Sequence, residues 1–260
     1  MNAIKYLKKF HVNDEVPFNC PICIRSCLVI DIQSLNKVEK ENSKKLRKCD
    51  EFEPEWIEYS YSVVYRCTNP HCLEVVQSVG IGGEELIYSH GEYGEPEDAY
   101  YESFFVPKFF LPAINYFNIP QTTPDEVKGI VLYAFDLTPV SPSSAVNKIR
   151  AAIEVILTLN NIPGRDSHDR FISLNKRISS INESHPLHPI KSQMLAIKWL
   201  GNAGSHEDDD IKLEDLFDSF VILERMLNVL YNNNPRINRL VDRVILHEGP
   251  IPREERRSIN

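Results

Sequence analysis

Hydrophobic and polar positions divide the chain into two parts with different periods. Residues 57–67 and 73–83 alternate apolar with polar positions and are rich in β-branched and aromatic residues, a pattern typical of the strands of a hairpin. From residue 125 onward the apolar positions recur at steps of three and four, as amphipathic helices require, and the clearest example is 212–234. The pattern predicts an α+β protein, with a small N-terminal β domain followed by an all-α helical bundle.

Start and stop signals give the helices their predicted limits. Thr123 is a candidate N-cap for the first helix, and Ser143 or Ser144 for the second. Between the β domain and the bundle, the prolines and aromatic rings of residues 85–123 predict an extended linker whose rings pack onto the next domain. The predicted helices span residues 123–137, 141–164, 169–181, 189–204, 212–234 and 236–246.

Composition and charge narrow the range of partners. No run of about 18 apolar residues occurs, and the N-terminus lacks the apolar stretch of a signal peptide, so we expect a cytoplasmic protein with no membrane partner. The net charge of −8 argues against nucleic acid covering most of the surface. Residues 36–48 nevertheless carry six basic and two acidic residues, which is compatible with a solvated loop, an exposed helix or a local nucleic-acid contact.

All six cysteines lie in the first 72 residues, at positions 20, 23, 27, 49, 67 and 72. In a cytosolic protein such clustering favours metal ligation over disulfides. Cys20 and Cys23 form one short knuckle, Cys67 and Cys72 form another, and the four thiolates could converge on one tetrahedral zinc ion. The alternative is a set of reduced, partly buried thiols. Cys27 and Cys49 are expected to be spectators, although Cys27 or His71 could replace one knuckle cysteine.

The two knuckles and their flanking hairpin strands resemble a zinc ribbon, in which a small sheet depends on a shared metal for its stability. The expected cofactor is one structural Zn²⁺ per chain, held by Cys20, Cys23, Cys67 and Cys72. A site closed by four cysteines has no open position for a water molecule or a substrate. The expected role of this zinc is therefore structural rather than catalytic.

The stretch "AIKWLGNAGSHEDDD", residues 196–210, combines a Gly-Asn pair with a single histidine and a run of acids. Gly201 and Asn202 are typical of a helix terminus, because either residue tolerates positive φ. The acids complement the positive N-terminal end of the next helix, which Ser205 or Asp210 could cap. His206 then makes either a structural hydrogen bond at the helix junction, a contact to nucleotide or nucleic acid, or a proton transfer.

The helical part resembles domain of unknown function 4145, a family placed within the HEPN (higher eukaryotes and prokaryotes nucleotide-binding) superfamily. The residues that carry the resemblance, over about 118–232, are the proline-rich entry "IPQTTPDEVKGIVLYAFDL", the segment "KIRAAIEVIL" with Arg150 and Glu154, and "IKWLGNAGSH" with Lys198, Gly201, Asn202 and His206. A zinc ribbon ahead of such a domain is similar to an arrangement that recurs in the family. The resemblance implies a HEPN-like helical bundle.

Active HEPN ribonucleases cleave RNA without a metal, through an arginine, a polar residue and a histidine that are usually assembled across a homodimer. By this resemblance Asn202 would be the polar residue and His206 the acid/base group, but Gly201 stands where the arginine is expected. Lys198 or Arg150 could supply the positive charge, although lysine cannot form a bidentate clamp. Arg150 could instead pair with Glu154 or with the Gly-Asn turn.

Two functional hypotheses follow. The favoured one is a non-catalytic accessory protein in a nucleic-acid-related or restriction-type defence system, and the alternative is a metal-independent HEPN-type endoribonuclease or toxin that uses Asn202 and His206. A homodimer, RNA or a nucleotide at the bundle, and a protein of a defence system are the expected partners. The expected domains are a zinc-ribbon-like domain at 1–84, the linker at 85–123, a HEPN-like domain at 124–232 and an arginine-rich helix and tail at 233–260.

Overall fold

A computed structural model describes residues 9–24, 26–90, 96–203, 211–232, 243 and 245–247. It combines an N-terminal antiparallel sheet with a C-terminal set of helices, which confirms the α+β class. Within the described parts of the chain, no helix has both the length and the apolar content that a membrane crossing requires.

The sheet has five strands in the order β1-β5-β4-β3-β2, and all neighbours are antiparallel. Strand β3 shows why the alternating pattern selects a strand, because every second side chain from Tyr59 to Cys67 is buried and the residues between them are more exposed. The strands are β1 Phe10–His11, β2 Leu28–Glu39, β3 Glu58–Cys67, β4 Val75–His90 and β5 Pro96–Leu111.

The C-terminal part contains four longer helices, each of which buries an apolar face, and the short helix α4, Leu174–Ser179, between the second and third of them. The short helix α1, Glu41–Leu46, belongs to the sheet domain and connects β2 to β3. Short 3₁₀ turns lie at Pro54–Trp56 and His188–Ile190. The remaining helices are α2 Asp125–Leu137, α3 Pro142–Leu159, α4 Leu174–Ser179, α5 Lys191–Ala203 and α6 Leu213–Tyr231.

The segment 85–123 differs most from the sequence-based expectation. It was expected to be a linker, but its first part completes β4 and its middle forms the whole of β5, so that only residues 112–123 connect the sheet to α2. Pro107 suggested a break, yet it lies in β5 opposite Gly80, beyond the point where the two-residue strand β1 pairs with Phe104 and Phe105. A proline is tolerated there because that side of β5 has no neighbouring strand that needs its N–H.

The helix limits also required corrections. Thr123 does not cap α2, since Pro124 occupies the N-cap position and the buried Thr123 hydroxyl has no hydrogen-bond partner among the described residues. Ser141, rather than Ser143 or Ser144, caps α3, and its hydroxyl accepts a hydrogen bond from the Ser144 N–H. Helix α3 ends at Leu159, well before Gly164. The helix expected at 236–246 falls almost entirely outside the described residues.

The connection 112–123 joins the two parts of the protein by aromatic packing. Tyr116 stacks on Phe220 of α6 with ring centroids 5.4 Å apart, and Phe117 meets Phe135 of α2 edge to face at 5.0 Å. All four rings are at least 96% buried, since none is more than 4% exposed. The expectation that rings in this region pack onto the helical domain is therefore confirmed for residues 116 and 117.

Gly80 in β4 provides a test of the strand register. A Cβ atom at this position would lie 2.2 Å from the carbonyl oxygen of Val106 and 2.7 Å from Cε1 of Tyr61. Because the first of these atoms belongs to the backbone of β5, Gly80→Ala should force the strands apart and lower the free energy of unfolding by about 1–3 kcal/mol. Urea denaturation followed by circular dichroism measures this change.

Gly129→Ala is the matched control for that substitution. Gly129 lies on the exposed side of α2, and nothing lies within 4 Å of a Cβ atom added there. Because alanine is the better helix former, this variant should gain about 0.5–1 kcal/mol. Equal stability of the two variants would contradict the pairing of Gly80 with Pro107.

Candidate metal centre

The first knuckle lies at the tip of a short hairpin that precedes β2. Cys20 N–H donates to the carbonyl of Ser26 at 2.8 Å, and Leu28 N–H donates to the carbonyl of Phe18 at 2.8 Å. The chain turns between these bonds, where Ile24 has a φ of 60° and its N–H bonds to the carbonyl of Cys20. This turn places Cys20 and Cys23 on the same side of the hairpin tip.

The second knuckle is the β3–β4 turn. Cys67 N–H donates to the carbonyl of Glu74 at 2.9 Å and closes the hairpin, while Cys72 and Leu73 both donate to the carbonyl of Asn69. Leu73 has a φ of 54°, a left-handed conformation that reverses the chain immediately after Cys72. The knuckle therefore presents Cys67 from the end of a strand and Cys72 from the turn.

Strand pairing brings the two knuckles together. Leu28, the first residue of β2, pairs with Cys67, the last residue of β3. The backbone N–H of Thr68 extends this register by donating to the carbonyl of Cys27 at 3.1 Å. Both hairpin tips therefore lie side by side at one end of the sheet.

The four sulfur atoms form a compact cluster. The Sγ atoms of Cys20 and Cys72 are 3.7 Å apart, those of Cys23 and Cys67 are 3.6 Å apart, and all four lie within 4.8 Å of one another. A disulfide would need about 2.05 Å, so these are free thiols. A tetrahedral zinc ion with Zn–S bonds of about 2.3 Å requires sulfur atoms about 3.8 Å apart, which is close to the observed spacing. The four cysteines could therefore hold a metal ion.

Burial raises the pKa of two thiols in this cluster, those of Cys67 and Cys20. The pKa of Cys67 rises to about 12, mainly because the thiol is removed from water, while the N–H of Asn69 acts in the opposite direction. The pKa of Cys20 is also raised by burial, and the backbone N–H groups of Ile22 and Cys23 partly offset this effect. Without a cation these two sulfurs would remain protonated, so that a metal must displace their protons as it binds.

The remaining candidate ligands lie elsewhere. Cys27 and Cys49 are exposed, and among the described residues the only group of three or more potential ligands is formed by Cys20, Cys23, Cys67 and Cys72. His71 lies between the second pair of cysteines, but it is exposed and its backbone N–H bonds to Oδ1 of Asn69. Neither Cys27 nor His71 replaces a knuckle cysteine in the cluster.

The connection 112–123 makes a hydrogen bond to the backbone of the first knuckle. Nδ2 of Asn115 donates a hydrogen bond of 3.0 Å to the carbonyl of Pro21, between the two cysteines of that knuckle. Phe18, which precedes the knuckle, packs on Phe110 with ring centroids 5.0 Å apart. The position of Cys20 and Cys23 therefore depends on contacts with residues about ninety positions later in the chain.

The basic segment 36–48 is largely neutralised by acidic neighbours. Four of its cations contact carboxylates: Lys37 with Glu84, Lys40 with Glu58, Lys44 with Glu41, and Arg47 with Glu39. The Arg47 guanidinium lowers the pKa of Glu39. The ion pair therefore stabilises the fold when the pH is above the usual pKa of the carboxylate, and this stabilisation is lost as the pH falls through the lowered pKa. The exposed-helix interpretation fits α1, whereas this pairing reduces the charge available to nucleic acid.

Gly201 lies in the last described turn of α5. Helix α5 includes Gly201 and Asn202 and is described as far as Ala203, so that the pair lies close to the helix end that the sequence predicts, but with helical backbone rather than positive φ at Asn202. A Cβ atom at Gly201 would lie 3.3 Å from Cδ of Arg150 on α3. The glycine thus allows α5 to approach α3 closely, a role for which the sequence offered no separate signal.

The cations predicted near Asn202 have different surroundings. Nζ of Lys198 is 3.0 Å from Oδ1 of Asn175 and 3.8 Å from the ring centre of Trp199, and the residue is only 9% exposed. The side chain of Arg150 passes beside Gly201, which agrees with the expected contact to the Gly-Asn pair. Only the backbone of Asn202 is among the described parts of the structure. His206 and the four acids that follow it lie outside the described residues.

Two family models match parts of the chain. Residues 133–243 match a domain of unknown function, DUF4145, which confirms the family that the helical motifs indicated. Residues 8–110, which include nearly the whole sheet and all four clustered cysteines, match another domain of unknown function, DUF8608. No curated protein and no solved structure matches the chain.

Proposed function

We propose that this protein is a non-catalytic, zinc-binding accessory protein that acts in a nucleic-acid-related or restriction-type defence system. In this proposal a ribbon-like zinc domain and a HEPN-like helical domain form a scaffold for a partner protein, as a homodimer. The observation that carries the proposal is the arrangement of four Sγ atoms within 4.8 Å of one another at the sheet end.

The chemistry of the four donors argues for a structural metal. Four thiolates fill all the positions of a tetrahedral zinc ion, so that no position is left for water or substrate. The zinc would be held by Cys20, Cys23, Cys67 and Cys72 and would join the two hairpin tips. Metal analysis of the purified protein should give one zinc per chain, and a stoichiometry well below one would overturn this part of the proposal.

The surroundings of Gly201 support a protein without catalysis. The position where an active HEPN ribonuclease is expected to carry arginine has no side chain, and the space beside it is filled by the stem of Arg150. Lys198 is mostly buried and bonded to Asn175, so that it is poorly placed to clamp a phosphate. Both arrangements favour packing between α3, α4 and α5.

An endoribonuclease remains the second candidate, because the structure brings Arg150 to the helix turn that contains Asn202. In that alternative Arg150 would stabilise the developing charge on the phosphate and His206 would transfer the proton. The two candidates differ in a single measurable activity.

RNA cleavage distinguishes the two candidates. We expect no cleavage of structured or single-stranded RNA by the pure protein, with or without EDTA, and no difference between the wild type and His206→Ala. His188→Ala, which replaces an exposed histidine elsewhere on the helical domain, is the matched control. Cleavage in EDTA that disappears in His206→Ala and persists in His188→Ala would establish the ribonuclease and reject the non-catalytic proposal.

A further inference from the structure

A pocket of about 640 Å³ lies at the C-terminal end of α3, on the helical domain. It is lined by the end of α3 at Leu159, by the loop that follows, in which Asn161 has a φ of 62°, and by residues of α4. Its apolar wall includes Ile162, Ile172 and Pro186. A pocket of this size with a mainly apolar wall and a few polar groups is suited to a small organic molecule.

Arg177 of α4 is the central polar group of the pocket. The residue is 5% exposed, and its Nη2 donates to the carbonyl of Glu154 at 2.9 Å and to Oγ1 of Thr158 at 2.8 Å. Its Nε donates to the carbonyl of Ile162 at 3.2 Å. These bonds tie α4 to the last turns of α3 and to the loop that follows it.

The other terminal nitrogen of Arg177 is available for a ligand. Nη1 makes no hydrogen bond to any residue that the structure describes, and it is not among the fully buried polar atoms without partners. No carboxylate of the described residues lies within ion-pair distance of this guanidinium. The carboxylate of Glu154 acts on this charge only from beyond ion-pair distance, and an anion in the pocket would compensate the charge more closely.

Two further donors line the same pocket. Nδ1 of His185 accepts a hydrogen bond of 3.1 Å from the backbone N–H of Leu187, so that the neutral ring carries its proton on Nε2. Lys176 is exposed and has no ion pair with a carboxylate in the described parts of the chain. The lining contains no aspartate or glutamate.

We propose that this pocket binds a small organic phosphate monoester, with the phosphate on Arg177, Lys176 and His185 and the organic group against Ile162, Ile172 and Pro186. A phosphate offers three terminal oxygens to these three donors, whereas a carboxylate offers two. The apolar wall selects a phosphate that carries an organic group over inorganic phosphate. The site rests neither on the zinc proposal nor on the residues around Gly201.

Calorimetric titration of the full-length, metal-loaded protein with phenyl phosphate tests the site. We expect saturable binding with a Kd on the order of 0.1–1 mM for a ligand of this size. Inorganic phosphate should bind more weakly because it lacks the apolar group, and phenol should give no saturable binding because it lacks the charge. Phenyl phosphate that does not bind at about 10 mM would overturn the proposal.

Substitutions locate the binding. Arg177→Lys keeps the charge but loses the second nitrogen of the fork, and it should weaken binding at least about tenfold. Lys176→Gln and His185→Asn should weaken it about threefold or more, and the asparagine oxygen can still accept the Leu187 N–H. Arg177→Lys could also disturb the end of α3. If this variant does not fold, Lys176→Gln and His185→Asn still show whether phenyl phosphate binds in the pocket.

Lys128→Gln is the matched control. Lys128 is an exposed lysine on α2 that does not line the pocket, so this variant has the same change in net charge as Lys176→Gln. Its affinity for phenyl phosphate should equal that of the wild type. If Lys176→Gln and His185→Asn bind as tightly as Lys128→Gln, the ligand lies elsewhere and the proposed site is wrong.

Discussion

Removal of the proposed zinc ion with a strong chelator should unfold the N-terminal domain. The apparent free energy of structural zinc binding is about 10–16 kcal/mol, which matches or exceeds the total stability of about 5–15 kcal/mol of an ordinary domain. The two hairpin tips bury little apolar surface of their own, since Ile22 and Leu73 are 60% and 67% exposed. Near-ultraviolet circular dichroism and thermal unfolding measure the loss.

Substitution of one ligand provides the same test without a chelator. Cys67→Ser should lose the zinc and lower the melting temperature sharply, since Cys67 is buried and ends strand β3. Cys49→Ser is the matched control, because Cys49 is exposed and lies outside the cluster. Cys67→Ser protein that keeps both its zinc and its melting temperature would show that the cluster does not hold a structural metal.

Phe220→Ala should lower the free energy of unfolding by about 3–5 kcal/mol, the usual cost of removing a buried phenylalanine. The side chain of Phe220 is fully buried, and its ring contacts those of Tyr116, Phe117 and Phe135 at centroid distances of 5.4, 5.9 and 5.3 Å. The truncation would therefore open a cavity where α2, α6 and the connection 112–123 meet. Chemical denaturation followed by tryptophan fluorescence and far-ultraviolet circular dichroism measures the change.

Val221→Ala, at the next position of α6, is the control for that cavity. Val221 is 41% exposed, so that its truncation removes little buried surface and should change stability by less than about 0.5 kcal/mol. The ratio of the two effects matters more than either value. Similar losses in the two variants would mean that the aromatic cluster around Phe220 does not form the core of the helical domain.

The cysteine cluster could be predicted because its sequence signals are local. Each knuckle is defined by cysteines a few residues apart and by turn residues beside them, and the strands that flank the second knuckle, β3 and the first half of β4, alternate clearly. Long helices were likewise predicted from the period of their apolar residues, and α6 at Leu213–Tyr231 follows 212–234 closely. In both cases the information lies within one short window of sequence.

The missed elements depend on contacts between distant residues. Strand β2 has a register shift between Asp31 and Asn36 and alternates poorly, and β5 contains Pro107, which is tolerated because β1, the neighbouring strand on that side, ends before it. The role of Gly201 depends on Arg150, which lies on another helix. The pocket at Arg177 was also missed, since its residues come from α3, α4 and the loop before α5 and share no motif.

The spacing of the two knuckles has a consequence for how the protein is made. Cys20 and Cys72 are 52 residues apart, yet their sulfur atoms are neighbours. Under the zinc proposal, the site is incomplete until Cys72 has left the ribosome, and before that point only the two thiols of the first knuckle are available to a metal. Once bound, the ion would act as a cross-link. A proteolytic cut in the connection between β2 and β3, which contains α1, would leave two fragments still joined through the ion.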